Sequence, residues 1–146
     1  MLQKNTYTYD NVGNITQIKG DGINPFEHNY TYDASYRLTD ANGNGTWLGN
    51  NLTYEQSFTY SPSGRINNKK TTSQKLSNQY GLYNEVYDNT YSYNFPNNPY
   101  AVDRITNTLN GKRESFSWDV KGNMVAHRSS SNEWRERYLC WTEDNR

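Results

Sequence analysis

One nine-residue pattern recurs along the chain and limits what it can fold into. The pattern is aromatic, Ser or Thr, aromatic, Asp, two variable residues, Gly, Asn, aliphatic. Tyr7-Thr8-Tyr9-Asp10-Asn11-Val12-Gly13-Asn14-Ile15 is the clearest copy. Phe116-Ser117-Trp118-Asp119-Val120-Lys121-Gly122-Asn123-Met124 matches it place for place. Phe58-Thr59-Tyr60-Ser61-Pro62-Ser63-Gly64-Arg65-Ile66 has Ser in place of Asp. Tyr30-Thr31-Tyr32-Asp33-Ala34-Ser35-Tyr36-Arg37-Leu38 has Tyr in place of Gly. Tyr91-Ser92-Tyr93-Asn94 opens a fifth copy, which runs irregularly through Pro96 and Pro99 to Asp103-Arg104-Ile105. A sixth begins at Leu139-Cys140-Trp141, and the chain stops inside it. Internal repetition of this kind sets the architecture before any other signal does.

Each copy reads as a β-hairpin. Aromatic and hydroxyl residues alternate with period two, so Tyr7 and Tyr9 share one face of a strand. Asp10 follows, and its carboxylate accepts N–H groups a few residues on. Gly13 supplies the positive φ of a tight turn. Ile15 then starts the return strand. The units start near 7, 30, 58, 91, 116 and 139, so their spacing runs from 23 to 33 residues. Uneven spacing suits hairpins with unequal loops better than a solenoid of fixed coils. The linkers Gly20-Asp21-Gly22, Asn42-Gly43-Asn44-Gly45, Asn110-Gly111 and Ser129-Ser130-Ser131-Asn132 read as turns. Residues 72–90 read as an extra hairpin or a long loop.

Composition agrees. Leu, Ile, Val and Phe number only 22 of 146 residues, below the roughly 20% that an ordinary packed core needs. Tyr (14), Thr (14) and Asn (22) stand in their place and favour strands and turns. The expected product is all-β: consecutive antiparallel hairpins forming one thin sheet over residues 1–146. Open sheet edges predict self-association into dimers or larger assemblies.

Several function classes drop out. No apolar run approaches the roughly 18 residues of a membrane helix. Met1-Leu2-Gln3-Lys4-Asn5-Thr6 has no apolar core of a secretion signal. Fifteen basic residues balance fifteen acidic ones, and no dense basic run marks a nucleic-acid partner. Cys140 is the only cysteine, which excludes an internal disulfide framework and a Cys-based zinc site.

The repeated motif, Tyr7-x-Tyr9-Asp10-x-x-Gly13-Asn14-Ile15 and its copies, resembles the YD repeats of Rhs proteins, of toxin-complex shell proteins and of teneurins. Pro99-Tyr100-Ala101-Val102 resembles the Pro-His-Ala-Val stretch of bacterial members. Trp141-Thr142-Glu143-Asp144-Asn145-Arg146 resembles their Trp-Asp-x-x-Asn-Arg signature. The resemblance implies a sheet that spirals into a hollow shell around a C-terminal toxin. It implies a chain that is a segment of a larger polypeptide, secreted or at the cell surface, with flanking repeats as partners. It carries over no protease residue, because the chain ends before the core domain that holds it.

Candidate chemistry is sparse. Asp10, Asp33 and Asp119 occupy one place in their units, which assigns them to turn capping rather than acid–base work. His28 and His127 share no Glu or Cys at ligand spacing. Cys140 has no His near it in sequence. Asn14, Asn29, Asn44 and Asn51 head glycosylation sequons that the Asn- and Thr-rich repeat itself explains. Gly43-Asn44-Gly45 is too short for a phosphate loop and reads as turn chemistry. No catalytic residue, metal ligand or cofactor is assigned.

Two functions remain. The first is a non-catalytic structural segment, in which the motif residues Tyr7, Tyr9, Asp10, Gly13, Asn14, Tyr30, Tyr32, Asp33, Arg37, Phe58, Tyr60, Gly64, Arg65, Tyr91, Tyr93, Phe116, Trp118, Asp119, Gly122, Asn123 and Trp141 build the hairpins. It predicts that Tyr-to-Phe changes matter little. The second is a glycan- or protein-binding module, in which Tyr7, Tyr30, Phe58, Tyr91 and Phe116 align in an exposed row across the strands. Cross-strand packing produces the same row.

Overall fold

The computed structural model describes residues 4–47, 50–78, 81–130 and 135–141. They contain twelve strands and no helix. The strands are β1 (Lys4–Tyr9), β2 (Ile15–Asp21), β3 (Phe26–Tyr32), β4 (Leu38–Trp47), β5 (Asn50–Tyr60), β6 (Ile66–Asn78), β7 (Gly81–Asn84), β8 (Tyr87–Ser92), β9 (Arg104–Asn107), β10 (Arg113–Trp118), β11 (Met124–Ser129) and β12 (Arg135–Tyr138). Hydrogen-bonded neighbours follow chain order from β1 to β6 and from β8 to β12, with β7 set on β6. The protein is an all-β, antiparallel sheet, and its hairpins sit where the repeat predicts them. Among the described residues no helix is long and apolar enough to cross a membrane.

The open alternatives over residues 72–90 resolve into an extra hairpin. β7 folds back on the end of β6, with Lys75 opposite Asn84 and Asn78 opposite Gly81. Two linker readings are corrected: Gly20 and Asp21 belong to paired strand β2, so that turn begins only at Gly22, and a second linker is overturned outright. Asn42-Gly43-Asn44-Gly45 is not a turn but the middle of β4, in continuous register with β3 and β5. Its glycines serve close packing rather than chain reversal. A Cβ on Gly43 would sit 2.4 Å from His28 Nδ1 and 2.6 Å from the Tyr54 ring. Aromatic rings on the flanking strands occupy the space that the absent side chains leave.

The chain divides into two compact units, Met1–Thr59 with Lys69–Tyr87 and Tyr60–Asn68 with Asp88–Arg146. In the first, alternation gives β2–β5 one polar and one aromatic face. On the polar face Gln17 Nε2 donates to Asn29 Oδ1 (2.9 Å) and to Glu27 Oε1 (3.2 Å). Thr31 Oγ1 donates to Asp40 Oδ2 at 3.0 Å, and Lys19 pairs with Glu27 at 3.3 Å. The other face carries Ile18, Phe26, His28, Tyr30, Ala41 and Tyr54. There the Phe26 and His28 rings lie 5.0 Å apart, and those of His28 and Tyr54 5.5 Å apart. Lys69 Nζ stands over the Phe58 and Tyr87 rings at 5.7 and 5.6 Å.

In the second unit, Phe116 stacks on His127 with centroids 5.0 Å apart. Arg65 lies over the Tyr93 ring at 5.0 Å and donates to the Pro99 carbonyl oxygen at 2.9 Å. Buried apolar side chains among the described residues are small: Ala41 in the first unit, Ala101 and Ala126 in the second. A single layer with few large aliphatics has no deep interior, as the composition predicts.

Candidate functional site

The repeated turn has one geometry four times. Asp10 N donates to Asn14 O, Asp33 N to Arg37 O, Ser61 N to Arg65 O and Asp119 N to Asn123 O, all at 2.8–2.9 Å. The fourth residue of each turn donates back to the first residue's carbonyl oxygen. That residue is Gly13 at φ 94°, Tyr36 at φ 61°, Gly64 at φ 87° and Gly122 at φ 84°. This is a type I turn closed by a left-handed residue, and it places a bulge on the strand. The register accordingly shifts at Thr8/Tyr9, Thr31/Tyr32 and Ser117/Trp118.

The Asp side chain completes the turn. Asp10 Oδ1 accepts from Val12 N and Asn14 N, Asp33 Oδ1 from Ser35 N and Arg37 N, and Asp119 Oδ1 from Lys121 N and Asn123 N. The second carboxylate oxygen takes Asn14 Nδ2, Arg37 Nε or Asn123 Nδ2. These bonds hold all three carboxyls below the usual range. The largest cause is the Asn14 amide for Asp10, the Arg37 side chain for Asp33 and the Asn123 N–H for Asp119. Ser61 makes the shorter version, accepting from Arg65 N at 3.1 Å. With no carboxylate to hold it, the Arg65 side chain turns to Tyr93 and Pro99 instead.

The fifth unit departs from the pattern. Asp103 enters from the opposite side and accepts from Ser92 Oγ at 2.7 Å and Asn94 N at 3.1 Å. Partial burial works against its ionisation, but these bonds outweigh it and lower its pKa.

A link between units is absent from the sequence reading. The second aromatic of a unit donates to the backbone carbonyl of an aliphatic residue at the head of the previous unit's return segment: the first residue of β2, β6 and β11, and Val102 two residues ahead of β9. Tyr32 Oη reaches Ile15 O at 2.8 Å, and Tyr93 Oη reaches Ile66 O at 2.8 Å. Trp118 Nε1 reaches Val102 O at 2.8 Å, and Trp141 Nε1 reaches Met124 O at 2.6 Å. By this criterion Val102, rather than Ile105, fills the aliphatic place of the fifth unit. A signal existed: the second aromatic is always Tyr or Trp, which carry a donor, whereas the first place also takes Phe58 and Phe116.

The predicted row of first aromatics is a staircase instead. Tyr7 stands opposite Ile18, and Ile18 opposite His28, so Tyr30 lies two residues off that level. Tyr30 stands opposite Ala41, and Ala41 opposite Gln56, so Phe58 is again two residues off. Tyr91, Ile105 and Glu114 share a level, and Phe116 lies two beyond. The pairing registers offset each unit from the next by two residues, and alignment gives way to a diagonal. Of these five aromatics only Tyr7 is exposed, by 46%; the others are half-buried.

The histidines are part of the packing. Burial pushes the His28 pKa down, and its neutral ring shares a hydrogen bond with Tyr54 Oη, 3.0 Å from Nδ1. Burial and the neighbouring Tyr30 push the Tyr54 hydroxyl up to about 12. His127 Nε2 pairs with Glu114, which also accepts from Ser129 Oγ at 2.6 Å. The carboxylate occupies the centre of that trio, so the Ser129 hydroxyl is not activated by the imidazole. Cys140 is exposed. Among the described residues no group of three or more His, Cys, Asp and Glu side chains is placed to hold a metal.

One open cleft of about 490 Å³ lies at an end of the first unit's strands. Lys19, Asp21, Glu27, Asn44 and Asn51 line it together with the Phe26 ring. Of the motif's Trp141–Arg146 stretch, residues 142–146 fall outside the described residues, as do Ser131 and Asn132. No family model and no curated protein matches the chain.

Proposed function

We propose that the chain is a non-catalytic structural segment of a repeat sheet, of the kind that encloses or presents a C-terminal toxin or effector in an Rhs-like polypeptide. Flanking repeats are its partners, and secretion or surface display is its setting. One observation supports the reading above all: the aromatic-to-carbonyl link recurs four times at the same place in the unit. The second aromatics of the motif thereby join one repeat to the next. The test pairs stability with binding. Loss of a link donor should lower the melting temperature, and a glycan array should return no saturable binding. Hydrolytic turnover, or high-affinity binding lost through one substitution, would replace this reading.

A second reading rests on the cleft. An aromatic ring beside amides and carboxylates suits a polyhydroxylated ligand such as a glycan. Saturable glycan binding abolished by Asn44→Ala, with the melting temperature unchanged, would favour it.

A further inference from the structure

The inference rests on the structural reading above and names the partner of one edge. Each link has the same two parts. One is a first strand that ends in an aromatic donor. The other is an antiparallel return strand headed by an aliphatic residue whose carbonyl accepts. β3 holds β2 in this way through Tyr32 and Ile15, and Trp141, just after β12, holds Met124 at the head of β11. β1 is also a first strand, yet it opens the strand order, and among the described residues it pairs only with β2, its own return strand. All six of its residues are exposed, Tyr9 by 56%. No described residue takes the Tyr9 hydroxyl.

We infer that the outer edge of β1 docks one further return strand, an extended segment headed by an aliphatic residue and running antiparallel to β1. The aliphatic carbonyl accepts from Tyr9 Oη. By the internal register, in which Gln17 faces Asn29 and Ile18 faces His28, the second residue after the aliphatic faces Thr6 and the third faces Asn5. Pairing of this type is β-strand addition, with the backbone ladder supplying affinity and the donor setting the register. A second copy of the chain does not offer the strand. The return strands β2, β4, β6, β9 and β11 all have neighbours on both sides. The strands that end the order, β1 and β12, are both first strands and lack the aliphatic head.

The probe is the peptide Ile-Thr-Gln-Ile-Lys-Gly-Asp, the sequence of β2, added to the full ¹⁵N-labelled chain. Saturable amide shifts confined to Lys4–Tyr9 are expected. Tyr9→Phe should weaken binding by about fivefold or more, the effect of one lost hydrogen bond. Proline in place of the peptide's second isoleucine, the equivalent of Ile18 in its hydrogen-bonded pair with His28, should abolish it, because the ladder loses a donor. Shifts absent or elsewhere, or equal affinity for Tyr9→Phe, overturn the proposal. Concentration-dependent shifts of β1 without peptide make a second copy the occupant and also overturn it. Tyr32→Phe separates the two readings. If it lowers stability while the peptide is ignored, the repeat reading stands and the docking edge falls. If it is neutral, both fall.

Discussion

Tyr36 donates its backbone N–H to the Asp33 carbonyl oxygen at 2.9 Å while held at φ 61°, in the turn place that Gly13, Gly64 and Gly122 fill elsewhere. A left-handed conformation costs an L-residue roughly 1–2 kcal/mol. The Tyr36 side chain is 60% exposed, so little packing offsets that cost. Tyr36→Gly should therefore raise stability by up to about 1 kcal/mol, after the extra chain entropy of glycine is subtracted. Gly122→Val should lower it by about 2 kcal/mol, since a β-branched residue fits φ 84° poorly. Urea denaturation of both variants checks the pair; opposite signs are required.

Acid should unfold the protein through its turns. Asp10, Asp33 and Asp119 have folded pKa values below the ordinary value of 3.8. The unfolded chain therefore binds protons first as pH falls. Their stabilisation is fully present above about pH 5, declines below the ordinary aspartate value and is lost as pH passes the depressed folded values. Melting temperatures between about pH 7 and pH 2 should be flat and then fall. Asp119→Asn should melt lower at neutral pH and show a shallower acid decline.

The two aromatic places should respond differently to loss of the hydroxyl, so the sequence expectation that Tyr-to-Phe changes matter little is kept for the first place and corrected for the second, whose hydroxyls carry the links. Tyr32→Phe and Tyr93→Phe each strand a carbonyl, at Ile15 or Ile66, and should each cost about 1 kcal/mol. Tyr7→Phe removes an exposed hydroxyl and should change stability by no more than a few tenths of a kcal/mol. Thermal melts of the three variants decide. Equal losses at all three places would mean that the link contributes nothing specific.

Two glycines on one strand should differ in their tolerance of a methyl group. A Cβ at Gly43 meets His28 Nδ1 at 2.4 Å and the Glu27 carbonyl oxygen at 2.8 Å, and the backbone contact cannot swing away. Gly43→Ala should cost about 1–3 kcal/mol through overpacking. At Gly45 the nearest atom is Phe26 Cβ at 3.1 Å, so Gly45→Ala should cost clearly less. Chemical denaturation of the two single variants measures the difference.

Thr71 is fully buried, and its hydroxyl has no hydrogen-bond partner among the described residues. Thr71→Val keeps the shape and removes an unpaired polar group, so stability should rise by about 1 kcal/mol. A loss of stability would show that the hydroxyl has a partner after all.

Sequence by itself determined the hairpins. Asp10, Gly13 and Asn14 specify a turn through contacts within five residues, and local chemistry of that range is written in order along the chain. Period-two alternation fixed which side chains share a face of a strand. Tertiary structure decided what depends on residues distant in sequence. Gly43 and Gly45 carry the composition of a turn, yet they lie in a strand because Phe26, His28 and Tyr54 on neighbouring strands fill the space above them. The aromatic row became a diagonal because the registers of successive strand pairings offset each unit by two residues, a displacement visible only when strands are paired. The Tyr32–Ile15 link spans seventeen residues and ends on a backbone oxygen. A carbonyl belongs to every residue alike, so no side-chain pattern announces which one is the acceptor.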